Sequence, residues 1–285
     1  MASRSGEEGR QSHLAACTIY RDAAEYLPEW IEFHRLVGVE RFFLYDNGSR
    51  DDHERVLAPY VAEGIAIVHR WPHAFLGHNG RPRAIFTAFE DCCGRYAREA
   101  RWIAFLDVDE FLFSPTGASL PDVLQGYEEF PGVVVSRADF GPSGHQTKPE
   151  GLVIESYLQR RALRPDDEVE HKSVVHPSGV VRFLSAHSFV HRDGQPVNED
   201  RRRVDTRKRI THSPVAWSRL RVHHYWSRSE EERRRKAELW RAVGSIRGLP
   251  NAPVAEQSHP VRDETLAAYA PAVRAALASR GYARP

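Results

Sequence analysis

Lysine, cysteine and methionine are scarce in this chain, and long apolar runs are missing. Its 285 residues include three cysteines, one methionine, and lysine only at positions 148, 172, 208 and 236. Cys17 and the adjacent Cys92 and Cys93 are odd in number, so they give no disulfide framework and no Cys-x-x-Cys metal pattern. Buried free thiols in a reducing compartment are the expectation. No stretch approaches the ~20 apolar residues that a membrane span needs. Residues 1–12 are polar and small, without the apolar core of a secretory signal. Formal net charge is +1, so bulk electrostatics do not select a polyanion as partner. Nearly all the cationic side chains are arginine, a bias that genome composition explains as readily as chemistry. What remains is a globular, cytoplasmic protein with a disordered first dozen residues.

The most informative segment runs from Trp102 to Phe111, Trp-Ile-Ala-Phe-Leu-Asp-Val-Asp-Glu-Phe. It reads as a buried strand that runs straight into three carboxylates, Asp107, Asp109 and Glu110. Open α/β sheets put ligands at the carboxyl ends of their strands. Alternation along an extended chain sends Asp107 and Asp109 one way and Val108 the other. Two like charges side by side need an offset, and a hard divalent cation supplies one. By itself the pattern is weak, because Asp and Glu are common as caps and turn residues after strands.

The first hundred residues alternate strand and helix. Leu14–Tyr20 reads as a strand, about 23–37 as a helix closed by Gly38, and Arg41–Tyr45 as a strand. A short helix over about 52–63, a strand at Ile65–His69, a loop over 70–82 and a helix over 84–98 follow. This order predicts an α/β fold with a Rossmann-like, mostly parallel central sheet and helices on both faces. Short strands at Gly132–Ser136, Leu152–Leu158, Ser173–His176, Val180–Leu184 and Ser188–His191 predict a mixed or antiparallel second half. Residues 193–213 read as a long surface loop. Ser229–Val243 reads as a charged amphipathic helix with Ser229 as its cap, and Asp263–Arg280 as a final helix.

Asp46 follows the second strand at the sheet edge. It can accept from a nucleobase N–H, or it can close an Asx-turn. Tyr20-Arg21-Asp22 ends the first strand at the same edge. Arg21 can pair with a diphosphate or form a surface ion pair worth little. His187 and His191 have a metal-ligand spacing, but no cysteine pair or nearby Glu completes a zinc set. The arginine runs 201–203 and 233–235 come with no nucleic-acid-binding motif, and Glu230–Glu232 balance the second as a solvated helix face.

Five blocks, in order, carry a resemblance: YRDAAEYLPEWIEFHRLVGVERFFLYDNGSRDD, WIAFLDVDEFLF, DFGPSGH, HKSVV and RVHHYWSRSEEERRRK. Over about Leu14 to Lys236 the chain resembles GT-A glycosyltransferases, and among them glycosyltransferase family 92 and related family 2-like bacterial enzymes. The resemblance implies a GT-A fold over 13–228, with 229–285 as a C-terminal helical extension. It implies that Asp107 and Asp109 hold Mn²⁺ or Mg²⁺ against the donor diphosphate, with His224 as third ligand. Asp46 would contact the nucleoside. Tyr20, Arg21, Lys172 and His187 would face the donor. Gly141, Gly144 and His145 would form a loop beside the sugar and acceptor. The implied reaction is hexosyl transfer from a nucleotide-sugar, a UDP-sugar above others, to a hydroxyl of a glycan, lipid-linked or small-molecule acceptor, with inversion. Asp139, just before the Gly-rich loop, is the expected base, and Glu110 is the alternative. Three positions depart from the family pattern. Arg21-Asp22-Ala23 stands where relatives have Lys-Asn-Glu, His223 stands where Asn often precedes the late His, and Arg83-Ala84 stands where a Gln is common. A non-catalytic nucleotide-sugar or carbohydrate-binding protein on the same scaffold is the competing reading. A nucleic-acid binder is a third class, which the near-neutral charge disfavours.

Overall fold

Alternating apolar residues in the early strands bury both faces of one sheet. The computed structural model describes residues 11–74, 83–164, 167–185, 187–208, 212–242 and 259–282. Residues 1–10 of the expected disordered start and most of the 70–82 loop lie outside these residues; Ser12, expected in that start, is instead buried and opens the first strand. In β1 (Ser12–Tyr20), Leu14 and Ala16 enter one core while Ala15 and Cys17 enter the other. β2 (Arg41–Asp46) does the same, with Phe42 and Leu44 on one side and Phe43 and Tyr45 on the other. Helices α1 (Leu27–Leu36) and α2 (His53–Ala62) cover the first face through Trp30, Phe33, Leu57 and Tyr60. α3 (Arg83–Tyr96) covers the second through Ala88, Phe89 and Cys92. Helices therefore lie on both faces, as the alternation requires. Gly38 ends α1 at φ +105°, and an added Cβ there would sit 2.5 Å from Pro121 Cδ. A left-handed residue after a helix, pressed against a ring, calls for glycine.

The remaining strands are β3 (Ala66–Arg70), β4 (Ala100–Phe105), β5 (Glu110–Phe113), β6 (Gly132–Asp139), β7 (Gln159–Arg160), β8 (Glu168–Val175), β9 (Val180–Ser185), β10 (Ser188–His191), β11 (His212–Pro214), β12 (Arg221–His224) and β13 (Val261–Arg262). The main sheet runs β3-β2-β1-β4-β8-β6-β12-β5, with β11 beside β8. From β3 to β4 it is parallel; β8 then runs against both β4 and β6, and β5 against β12. The sheet is thus mixed rather than mostly parallel. The parallel part ends where the helix-linked crossovers end.

Two reversals beside β8 restore direction, so β6 and β12 point the same way as β1, β2 and β4. Six strands consequently end at one edge. Tyr20, Asp46, Arg70, Asp139 and His224 are the last residues of five of them, and Asp107 lies two residues past the sixth. β5 begins at that edge with Glu110 opposite His224, and His224 lies opposite Asp139. Register neighbours share a face, so these three side chains stand in one row.

Two local readings change. The strand expected across Trp102–Phe111 stops at Phe105. Residues 107–110 form a turn, closed by the Glu110 N–H on the Asp107 carbonyl at 3.0 Å, and a new antiparallel strand starts. Leu152–Leu158, read as a strand, contains the helical turn α5 (Val153–Ser156). The buried Glu29 carboxylate of α1 accepts the Val153 and Ile154 N–H groups at 2.9 and 3.1 Å, which fixes a helix start there. α4 (Leu120–Leu124), α6 (Glu230–Ala242) and α7 (Ala270–Ser279) complete the helices named here. Among the described residues, no helix is long and apolar enough to cross a membrane.

Candidate functional site

The turn after β4 splits the aspartate pair between two lysines. Lys172 of β8, 1% exposed, places Nζ 2.8 Å from Asp107 Oδ2 and 2.8 Å from Glu110 Oε2. Glu110 Oε2 also accepts the Asp107 N–H at 2.9 Å, so the turn is clamped from inside. Asp109 faces the other way. Lys236 of α6 reaches its Oδ2 at 2.7 Å, and Arg228 Nη2 lies 4.0 Å from the same oxygen. The two acids therefore do not share one extended face. They meet the site from two sides of a turn.

His224 completes this constellation. Its Nδ1 lies 2.8 Å from Asp139 Oδ1, and its Nε2 lies 3.7 Å from Asp109 Oδ1. An ionised carboxylate can only accept, so Nδ1 carries the proton and donates. Nε2 is the nitrogen turned toward Asp109. A histidine oriented by a carboxylate on its far nitrogen is the arrangement that metal-ligating histidines use.

Electrostatics keep the acids charged. Burial opposes ionisation of Asp109, but Lys236, His224 and Arg228 outweigh it and hold the carboxyl far below its usual range. Burial likewise opposes Asp107, and Lys172 overcomes it. Lys172 is itself held charged against burial by Asp107 and Glu110. No three His, Cys, Asp or Glu side chains among the described residues are gathered into a ready metal cage. The donor types nonetheless suit a hard divalent ion, which takes one or two carboxylates from the protein and the rest from water and phosphate. Asp109 is paired here with the protein's own ammonium, Lys236.

Neither expected base has the surroundings of one. Asp139 accepts from His224 and faces Arg137 Nε at 3.1 Å. Burial raises its carboxyl, but the His224 hydrogen bond and Arg137 bring it down to about 2. A carboxylate held that low takes up a proton poorly. Glu110 is fully buried between Lys172 and Arg137, and its carboxylate has no face open to an acceptor. Burial leaves its carboxyl above the usual range despite Lys172.

The remaining expected residues lie around the same edge. Asp46 is buried, accepts the Ser49 N–H at 2.8 Å and has His53 Nε2 3.8 Å from its other oxygen. It closes the turn and lines the edge at once. Tyr20 stands beside it in register, its buried hydroxyl without a hydrogen-bond partner and its ring edge-on to His53. Arg21 is 38% exposed, 3.7 Å from Asp22. His187 Nδ1 bonds to the His171 carbonyl at 2.8 Å, and burial together with Lys172 pushes the ring well below its usual range. Gly141 packs against His259, where a Cβ would come within 2.7 Å of the ring, and its N–H bonds to the Gln159 carbonyl. Gly144 is left-handed at φ +81°. The His145 carbonyl accepts the Glu230 N–H at 3.2 Å, so this loop braces the start of α6. His223 points away from the site, fully buried among Phe113, Phe140 and Tyr225.

Sequence reading missed Lys236, Arg228 and Glu232 as site residues. They are spaced i, i+4, i+8, one face of a helix with its leading turn. Glu232 closes a capping box with Ser229, whose Oγ lies 2.7 Å from Glu232 Oε2 and accepts the Glu232 N–H at 3.2 Å. It also accepts from the Tyr26 and Tyr157 hydroxyls. Arg228 is held at φ +47° with its guanidinium 3.7 Å over the Tyr26 ring. The boundary expected at 228/229 falls between His224 and Lys236, which meet at Asp109.

Residues 13–239 match the family model for glycosyltransferase family 92. A family 92 protein of Ricinus communis is 34% identical over 205 residues, covering 69% of this chain and 35% of that protein. A galactan beta-1,4-galactosyltransferase of Arabidopsis thaliana is 35% identical over 107 residues, covering 36% of this chain and 20% of that protein. The chain spans about a third of the length of the curated relatives it matches. Among solved structures, TarS residues 1–349 of S. aureus aligns at a TM-score of 0.41 and 10% identity over 86% of this chain and 67% of that one, a likeness too slight to inform the fold.

Proposed function

The chain belongs to glycosyltransferase family 92, and from that premise we propose that it is a metal-dependent glycosyltransferase on a GT-A scaffold. It moves a sugar from a nucleotide-sugar, a UDP-sugar, to an acceptor hydroxyl with inversion. One observation carries the reading: Asp107, Asp109 and a His224 oriented by Asp139 lie along the carboxyl edge of the sheet, with His224 Nε2 3.7 Å from Asp109.

Asp109, Asp107 and His224 would hold Mn²⁺ or Mg²⁺. That ion offsets the charge that gathers on the leaving nucleoside diphosphate. Asp139 is a positioning residue that fixes which nitrogen His224 presents. Lys172 and Glu110 hold the Asp107–Glu110 turn in shape. Asp46 and Tyr20, with the hydroxyl of Tyr20 lacking a partner, offer polar groups to the nucleoside. Inversion is what the family resemblance implies: the acceptor oxygen bonds the anomeric carbon as the nucleoside diphosphate leaves, and the hydroxyl proton passes to a base other than Asp139 and Glu110.

The test is UDP release from a panel of UDP-hexoses with Mn²⁺, a galactosyl donor first because of the Arabidopsis relative. Release should require the metal and vanish in Asp109→Asn. Equal release in EDTA would remove the metal from the account.

A further inference from the structure

Asp109 carries a cation of the protein's own. Lys236 Nζ sits 2.7 Å from Asp109 Oδ2 and donates to the Trp226 carbonyl at 3.2 Å. Its anchor is stiff. Glu232, one turn earlier, is tied by Ser229, Tyr26 and Tyr157, so the base of the lysine stem is fixed while the side chain as a whole is 27% exposed. Lysine is a compact charge on a flexible four-carbon stem, suited to exchange partners. Arg228, by contrast, is pinned over Tyr26 and paired with Glu232.

We propose that Lys236 is a displaceable counter-ion: it neutralises Asp109 while the metal position is unfilled, gives way when a divalent ion occupies that carboxylate, and turns its ammonium to the diphosphate of the donor. This rests on the metal-dependent reading above. His224 faces Oδ1 of Asp109 and Lys236 holds Oδ2, so an ion beside His224 would stand on the same carboxylate as the ammonium, and the two positive charges would repel at close range. Loading the ion therefore frees the ammonium, and a phosphate oxygen is the nearest new anion that loading brings. The exchange couples metal entry to the grip on the leaving group and keeps the buried Asp109 closely paired between turnovers.

The experiment uses the whole chain and Lys236→Met, which keeps the stem and removes the charge. Lys236→Gln serves as a second, polar variant, and thermal unfolding checks that both fold. Free Mn²⁺ is counted by its electron paramagnetic resonance signal without nucleotide, and UDP binding is then measured by calorimetry at saturating Mn²⁺. Both variants should bind Mn²⁺ alone about tenfold more tightly than wild type, because a competing charge is gone. They should bind UDP about tenfold more weakly. Unchanged or weaker Mn²⁺ binding overturns the displacement, and unchanged UDP binding overturns the phosphate role. If wild type and both variants all fail to bind Mn²⁺, the metal reading itself falls, and this proposal with it.

Discussion

The 2.8 Å hydrogen bond from His224 Nδ1 to Asp139 Oδ1 decides which imidazole nitrogen faces Asp109. Because the two residues are register neighbours on β12 and β6, the sheet itself sets their spacing. Asp139→Ala should therefore raise the Mn²⁺ needed for half-maximal transfer by roughly 10–100-fold, the usual effect of losing such a partner. Turnover at saturating metal should stay within a few-fold of wild type. A folded variant inactive at every metal concentration would place Asp139 in the chemistry instead.

Lys172 is buried between the fully buried Glu110 and Asp107, whose side chain is 40% exposed. Lys172→Met should cost about 3–5 kcal/mol of stability, because it strands Glu110 without its cation, while water reaches Asp107. Adding Glu110→Gln should recover part of the loss. Urea unfolding of the single and double variants decides it; a loss below ~1 kcal/mol in Lys172→Met would mean that water replaces the ammonium.

Acid should unfold this protein early. Burial holds His34 and His223 at about 3, and His171 and His191 at about 4, against an ordinary 6.5. The His34 ring spends both nitrogens on the Trp30 carbonyl and the Leu112 N–H. Below pH 6.5 the unfolded chain takes up protons that the native state refuses, so stability falls as pH falls. The slope is about 1.4 kcal/mol per pH unit for each proton. Glu29 works in the opposite direction. Burial lifts its carboxyl from 4.5 to about 7, so the native state gains a proton first over that window. Four rings outweigh one acid, and the urea midpoint at pH 5 should lie below that at pH 7. An equal or higher midpoint at pH 5 would show that these rings protonate in the native state.

Asp46→Ala should weaken UDP binding by ~1–3 kcal/mol, the cost of leaving a buried polar partner unmet. Calorimetry measures this directly. If only thermal stability drops while UDP affinity holds, Asp46 serves the Ser49 turn and nothing more.

Much of the first half was legible because alternation and helical spacing are local. The strands ending at Tyr20 and Asp46 and the helices between them needed no long-range contact to be read. The Asp-x-Asp edge was legible as a place but not as a shape. Pure alternation could not foresee that Glu110 starts an antiparallel strand beside His224, since that pairing joins residues more than a hundred positions apart. α5 was misread although Glu155 caps it locally at the Leu152 N–H; its next two N–H groups are met by Glu29, on another helix. Lys236 was hidden in the run Arg233-Arg234-Arg235, read as a solvated face. Its one local signal was its type. Of four lysines in an arginine-rich chain, two end on the aspartate pair.

The central claim is that nucleotide and metal bind together through Asp109. Calorimetry of UDP binding to wild type and Asp109→Asn, each with Mn²⁺ and with EDTA, tests it most directly. The account predicts tight binding for wild type with Mn²⁺ alone, and at least tenfold weaker binding in the other three arms, because the ion would supply the bridging charge. UDP bound as tightly by wild type in EDTA, or by Asp109→Asn with Mn²⁺, would contradict it.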